Sequence, residues 1–139
     1  MDYISTRDSK VAAAKFTDIL LMGLAPDGGL YLPAVYPRIT PDLLDAWRTL
    51  LDAQGYAALA AEVVKLFVDD IPPAQIEEIT ARAYRTPVFS TEEIVPVTKL
   101  DEALYIAHLS EGPTAAFKDI AMQLLGELFE YELARRGEE

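Results

Sequence analysis

The sequence has no cysteine and only one histidine, His108. Without thiols, disulfides, thiolate metal centres and cysteine nucleophiles are excluded, and a single imidazole excludes a multi-histidine metal site. Pairs of neighbouring carboxylates such as Asp69-Asp70 and Glu77-Glu78 suggest a metal site, but hard cations need several converging oxygens. Since these pairs are expected at helix ends or on solvated faces, we predict no metal site.

Basic residues are also scarce: 12 Lys and Arg stand against 23 Asp and Glu, which gives a formal net charge of −11. Such a field repels nucleic-acid phosphates and anionic membrane surfaces. One lysine beside a helix N-terminus still suffices to hold an anionic small ligand. The charge therefore predicts no nucleic-acid partner and leaves an anionic small-molecule ligand open.

Long apolar runs are missing as well, because no stretch reaches the ~18 apolar residues of a membrane span. The first ten residues, MDYISTRDSK, lack the apolar core of a signal peptide. These features predict a cytoplasmic protein without a membrane partner.

What is present fits one domain, or a small domain with the beginning of another, since the chain has 139 residues of which 51% are hydrophobic. The opening YISTR alternates apolar and polar residues and predicts a strand. A helix is predicted from near Ser9 or Lys10 to Gly23, and the turn Asp27-Gly28-Gly29 should lead into an extended segment over residues 30–32, ended by Pro33.

Three short helices are predicted next. Thr40-Pro41-Asp42 is a strong helix start, with a capping hydroxyl and proline at the first position. Gly55 should separate this helix from a second one over about 57–67, and a third should cover about 73–84. We expect these helices to pack together through apolar stripes; the stripes comprise Leu43, Trp47 and Leu50 in the first helix and Ile76, Ile79 and Ala83 in the third.

Thr86-Pro87 marks a boundary, because the residue before proline avoids helical space. Extended segments over 95–97 and 104–106, with a turn at Asp101-Glu102, predict a hairpin, and the longest helix is expected over about 116–136. The fold class is thus a small mainly helical domain, residues 1–85, followed by the incomplete beginning of an α/β domain, residues 86–139. The apolar face of the last helix should then need a partner, which predicts a homodimer or an exchanged assembly.

The segment Gly112-Pro113-Thr114-Ala115-Ala116-Phe117-Lys118-Asp119 places a lysine in the first turn or two of that last helix. Lys118 is either an ordinary solvated lysine or a reactive amine. A reactive amine must be available unprotonated, and burial against Pro113 and Phe117 would lower its pKa more than the helix dipole does. The helix N-terminus also offers backbone N–H groups to an anionic cofactor.

Four neighbours of Lys118 have ordinary structural interpretations. Asp119 suits a first helical turn through the dipole. Thr114 is either an N-cap or a substrate contact. Glu111 and His108 suggest acid and base chemistry, but we interpret His108 as a hydrogen-bonded structural group, because no matched second carboxylate is evident.

Three segments in this order, YISTR, GLAPDGGLYLP and EGPTAAFKDIAMQLLGELFEYEL, resemble the threonine synthase family. The resemblance implies a pyridoxal-phosphate enzyme of fold type II, with an N-terminal domain at residues 1–85 and the start of the cofactor domain at 86–139. It implies that Lys118 holds pyridoxal 5'-phosphate covalently in the intact enzyme. Beside this lysine, Phe117 is a candidate contact of the cofactor and Thr114 a candidate contact of the substrate.

The resemblance also implies the reaction, in which O-phospho-L-homoserine and water give L-threonine and phosphate. Alternatives are a related phospholyase that releases a keto acid, and a non-catalytic folding or interaction module. The chain departs from many relatives by Ser110-Glu111 where they have Phe-His, and it lacks the glycine-rich phosphate loop. We therefore expect this chain alone to be inactive, and whether it binds cofactor stays open.

Overall fold

The structure, a computed structural model, describes residues 1–7 and 10–138. This part of the chain contains five helices and two small antiparallel strand pairs. In chain order the elements are β1 (Tyr3–Ser5), α1 (Phe16–Met22), β2 (Tyr31–Pro33), α2 (Pro41–Gln54), α3 (Tyr56–Lys65), α4 (Pro73–Ala83), β3 (Val97–Lys99), β4 (Tyr105–Ala107) and α5 (Asp119–Arg136). The predicted fold class, mainly helical with short strands, is confirmed.

The opening has the predicted strand, helix, strand order, and β1 pairs with β2 in the register Ile4 to Leu32. The helix starts later than predicted, at Phe16. The predicted start at Ser9 lies outside the described residues, and the alternative at Lys10 is wrong. The reason is a bridge in which Tyr3 and Ala14 exchange backbone hydrogen bonds of 2.9 and 3.1 Å, so the chain before α1 is extended.

Helix α2 begins as predicted, because the Thr40 hydroxyl accepts a 3.3 Å hydrogen bond from the Leu43 amide and Pro41 occupies the first turn. Helices α3 and α4 end within two residues of their predicted bounds. The predicted stripe of α4 is buried, whereas that of α2 is only half-buried. The main core therefore lies between α3, α4 and α5; its buried members are Ala61, Val68, Ile71, Ile76, Ile79 and Leu128.

Helix α5 completes this core. Leu128 is buried in it, Leu124 and Tyr131 pack against it, and the Tyr84 hydroxyl donates a 2.9 Å hydrogen bond to the Ile120 carbonyl. The prediction that the apolar face of this helix lacks a partner is therefore wrong for these residues. Periodicity alone did not reveal that α4 and α1 would cover them.

The far end of α5 is tied to α1 through charged groups. The Glu132 side chain is fully buried and accepts hydrogen bonds of 2.6–2.7 Å from Arg135 and Arg136. Arg136 also donates a 3.3 Å hydrogen bond to the Thr17 carbonyl. These contacts join the first and last helices of the chain.

The predicted hairpin is present, with Thr98 paired to Ile106 and the Asp101 carboxylate accepting from the Glu102 amide at the turn. Every residue of β3 and β4 is exposed. The boundary predicted at Thr86-Pro87 lies beside a second core cluster, in which Phe89 packs with Ala83, Tyr84 and Ile94. In the described part of the chain, no helix is both long and apolar enough to cross a lipid bilayer.

Candidate functional site

Lys118 lies immediately before α5, at its N-cap position, rather than inside the predicted first turn. Its carbonyl accepts hydrogen bonds from the amides of Ala121 (3.0 Å) and Met122 (2.8 Å), so the backbone of Lys118 is fixed to the helix. Its side chain is exposed, and within residues 1–7 and 10–138 the amine makes no hydrogen bond or ion pair. The structure thus presents a solvent-facing amine on a fixed piece of backbone.

The burial that the sequence suggested around this lysine is not present. Phe117 is 65% exposed, and Pro113 is exposed as well. The expectation that these two side chains cover Lys118 is therefore wrong for the described residues. Residues 112–118, which we call the lysine loop, form a largely exposed loop between β4 and α5.

A buried carboxylate holds the lysine loop. Asp119 is only 4% exposed, and its oxygens accept hydrogen bonds from the Thr114 amide and the Thr114 hydroxyl, both at 2.7 Å. The hydroxyl hydrogen bond, together with the amides of Thr114 and Ala116, lowers the pKa of Asp119 below its ordinary value although burial opposes this. The interpretation of Asp119 as an acid that merely complements a helix dipole was therefore incomplete.

The loop closes tightly around this carboxylate. A Cβ added to Gly112 would lie 2.4 Å from the Cβ of Asp119, so only glycine allows this approach. Ala115 adopts a left-handed backbone with φ of 57°, which residues other than glycine rarely adopt. The close approach of Gly112 and the left-handed backbone of Ala115 thus lie on either side of Thr114, the residue that Asp119 binds.

Thr114 does not cap α5 with its side chain, since its hydroxyl donates to Asp119 and no side chain caps that helix. The capping interpretation is therefore wrong. The hydroxyl proton is already engaged, whereas the hydroxyl oxygen still has acceptor capacity. Its role as a substrate contact stays a prediction.

Glu111 and His108 do not converge on Lys118 in a shared hydrogen-bond network. The Glu111 carboxylate accepts a hydrogen bond from the Ser90 hydroxyl, and the Glu111 carbonyl accepts one from the Ser90 amide at 2.9 Å. His108 Nε2 lies 2.8 Å from the Thr98 hydroxyl across the hairpin. These contacts favour the structural interpretation of His108.

The carboxylate pairs are engaged in separate places. Asp70 accepts from the amide and hydroxyl of Thr17 at 2.8 Å, whereas Glu77 pairs with Lys65 at 2.6 Å. In the regions of the chain that the structure describes, no three His, Asp or Glu side chains gather as metal ligands would.

Sequence reasoning missed the roles of Gly112 and Asp119 in shaping the loop. The available signal was the spacing of Gly112, Thr114 and Asp119 around a turn that precedes a helix. A turn of this kind leaves amides unpaired, and a carboxylate at the helix start is well placed to accept from them.

The whole architecture resembles a solved enzyme structure. The crystal structure of pyridoxal-phosphate-bound threonine synthase from Brucella melitensis matches with a TM-score of 0.88 and 40% identity, over 100% of this chain and 29% of that chain. The likeness assigns the helices and hairpin to a portion of an α/β enzyme.

Sequence comparison gives the particular family. The family described as "Threonine synthase N terminus" matches residues 2–84. Threonine synthase from Corynebacterium glutamicum is 67% identical over 138 residues, and that from Methylobacillus glycogenes is 48% identical over 145 residues, each covering 99% of this chain. The chain spans 29% and 30% of the length of these two relatives. It belongs to the threonine synthase N-terminal family.

Proposed function

We propose that the protein works as a pyridoxal-phosphate-dependent threonine synthase, with this chain as its N-terminal portion and Lys118 as the covalent attachment point of the cofactor. The reaction would convert O-phospho-L-homoserine and water into L-threonine and phosphate. The observation that carries the proposal is the accessible Lys118, whose amine has no partner among the described residues, in a loop of defined shape within a chain 67% identical to a threonine synthase.

The residues present fit the cofactor. Attachment to an aldehyde needs an amine that is reachable and not committed to an ion pair, and the Lys118 amine meets both conditions among the described residues. When bound, pyridoxal phosphate supplies an electron sink that stabilises negative charge on substrate carbons. Lys118 would hold the cofactor, and its Nζ, once released by the substrate amine, would carry protons between substrate carbons.

The lysine loop would present neighbouring side chains to the same space. Phe117, which is exposed, has an apolar ring available to cover the cofactor. The Thr114 hydroxyl oxygen can accept a hydrogen bond from the substrate while the hydroxyl keeps donating its proton to the Asp119 carboxylate. We propose these as cofactor and substrate contacts respectively.

A trapping experiment tests the assignment of Lys118. Full-length protein that contains this sequence would be incubated with pyridoxal phosphate, reduced with borohydride and mapped by mass spectrometry. We expect one adduct at Lys118, lost in Lys118→Ala and kept in Lys99→Ala, since Lys99 is an exposed lysine on the hairpin. An adduct at another lysine, or no adduct, would contradict the proposal.

Product analysis tests the reaction. With O-phospho-L-homoserine as substrate, the proposal expects equal amounts of L-threonine and phosphate. Phosphate with a keto acid would indicate the phospholyase alternative. Absence of turnover in cofactor-loaded full-length protein would favour the non-catalytic alternative.

We propose the domain boundary near residue 85, which the family match over residues 2–84 supports. The cysteine-free composition suits the reducing cytoplasm, where we propose that the protein resides. For self-association, the exposed apolar side chains of the hairpin, such as Val97, Tyr105 and Ile106, offer a surface that α5 does not. A strictly monomeric sedimentation profile would argue against a homodimer.

A further inference from the structure

We infer that Asp119 is a positioning residue for Lys118. By binding Thr114, Asp119 fixes the shape of the lysine loop and so sets the backbone position from which the Lys118 side chain extends. This inference rests on the proposed function, because it concerns how Lys118 is held for attachment of the cofactor. Asp119 itself need not touch the cofactor or the substrate.

Both oxygens of the Asp119 carboxylate are engaged by Thr114. One carboxylate oxygen accepts the Thr114 amide and the other accepts the Thr114 hydroxyl, each at 2.7 Å. Both distances are typical of strong hydrogen bonds to a charged acceptor. A buried carboxylate with two donors from one residue fixes both the position and the orientation of that residue.

The backbone of the lysine loop is closely constrained on either side of Thr114. Gly112 packs against Asp119 so closely that a methyl group would overlap it, and the Ala115 amide donates a 3.1 Å hydrogen bond back to the Gly112 carbonyl. Ala115 is held in a left-handed conformation with φ of 57°. Such a conformation persists in a residue with a Cβ only where the surroundings determine it, and here the surroundings are Gly112 and Asp119.

Within the described residues, no other contact directs the Lys118 side chain. Lys118 has its carbonyl bound to the first turn of α5, while its amine has no partner within residues 1–7 and 10–138. The starting point of the side chain therefore depends on the backbone between Thr114 and α5. Asp119 controls that backbone from both ends, since it is the first residue of α5 and binds Thr114.

The test must separate positioning from simple stabilisation. Asp119→Ala removes both contacts. Asp119→Asn can keep both, because the amide oxygen accepts from the Thr114 amide while the amide nitrogen donates to the Thr114 hydroxyl oxygen. Gly112→Ala displaces the carboxylate without removing it. Gly126→Ala, a change on the outside of α5 where a Cβ would meet nothing within 4 Å, is the matched control.

The first readout needs no cofactor. Hydrogen exchange of the 112–118 peptide in the unloaded 139-residue chain should be faster in Asp119→Ala and Gly112→Ala, and close to wild type in Asp119→Asn and Gly126→Ala. The second readout is borohydride trapping at Lys118 in the full-length protein over a series of pyridoxal phosphate concentrations. A misplacement of about 1 Å can reduce a positioned reaction about 100-fold, so we expect half-trapping concentrations raised by about that factor in Asp119→Ala, and rescue in Asp119→Asn.

If Asp119→Ala does not fold, Thr114→Val decides the matter, because it removes only the hydroxyl contact at an exposed position. It should raise the half-trapping concentration about tenfold, as expected for one lost hydrogen bond to a charged group, with restoration in Thr114→Ser. Normal trapping in folded Asp119→Ala, Gly112→Ala or Thr114→Val would overturn the inference while leaving the proposed function intact. Failure of the wild-type protein to trap at Lys118 would instead overturn the proposed function, and the role of Asp119 with it.

Discussion

The α3–α4–α5 core and the hairpin with its lysine loop fix their backbones by different means. In the helical core, Ile76 and Ile79 are each only 1% exposed, and apolar packing holds the helices. In the hairpin, both strands are exposed along their whole length. The lysine loop is held instead by the hydrogen bonds between Thr114 and Asp119.

This difference means that the helical core provides stability, whereas the lysine loop determines how Lys118 is presented. A core of interlocked apolar side chains tolerates little change, whereas an exposed loop held by polar contacts can present a reactive side chain without burying it. Two directional hydrogen bonds to one carboxylate are sufficient to define the loop. The comparison predicts that substitutions in the core change unfolding free energy, and that substitutions in the hairpin do so very little.

The largest effect should come from Ile79→Ala. Removing a fully buried side chain leaves a cavity and is expected to lower the unfolding free energy of the chain by about 2–5 kcal/mol. The matched change Ile106→Ala, at a hairpin residue that is 43% exposed, should cost less than about 1 kcal/mol. Urea unfolding of the two variants measures both values. Equal losses would show that the hairpin is part of the same core.

A smaller effect is expected for Glu132→Gln. The neutral side chain keeps its size but weakens the hydrogen bonds to Arg135 and Arg136, at a cost of about 1–2 kcal/mol because both arginines are partly solvated. Glu130→Gln, at an exposed position of the same helix, is the control and should be neutral.

The same variant gives a prediction about pH. The hydrogen bond from Arg135 is the largest influence that lowers the pKa of Glu132 below its ordinary value of 4.5. The unfolded chain therefore takes up this proton at a higher pH than the folded chain. The stability from Glu132 is present above about pH 4.5 and is lost as pH falls through the folded pKa. The difference in unfolding free energy between wild type and Glu132→Gln should disappear over that range. A difference that persists at lower pH would contradict the ionic interpretation.

Thr40→Ala should have an effect of about 1 kcal/mol, because it removes the side-chain cap of α2. Thr49→Ala within the same helix provides the comparison, since Thr49 is exposed and its hydroxyl only donates a hydrogen bond to the Asp45 carbonyl. Thermal unfolding of both variants measures the difference. A similar loss in both would mean that the cap contributes nothing specific.

The smallest effect has the opposite sign. Gly126→Ala adds a methyl group to an open helical position and should stabilise α5 by about 0.5–1 kcal/mol. Gly112→Ala should destabilise the lysine loop, because the same methyl group there would overlap Asp119. Two glycine substitutions, one in the helix and one in the loop, thus separate the two regions by the sign of the change.

Local signals in the sequence predicted much of the fold. The cap at Thr40, the hairpin turn at Asp101 and the buried face of α4 each depend on residues close together in the chain. The late start of α1 could not be predicted in this way, because it depends on pairing between Tyr3 and Ala14. The burial of α5 depends on contacts with α4 and α1, which periodicity does not identify.

The candidate site was predicted only as far as its lysine. The sequence singled out Lys118 and its neighbours, but the exposure of Phe117 and the burial of Asp119 follow from the path of the loop. That path needs a left-handed Ala115, a conformation for which alanine gives no sequence signal.

The hydrogen bond from Arg136 to the Thr17 carbonyl joins residues 119 positions apart. This separation has a consequence for folding of the chain during translation. Ribosomes add roughly 5–20 residues per second, so Thr17 is made several seconds before its partner. The core that Phe16 and Leu20 help to cover includes Leu128. The contacts of α1 with α5 can therefore form only after α5 has left the ribosome, whereas the hydrogen bonds from Thr17 to Asp70 can form before α5 is made.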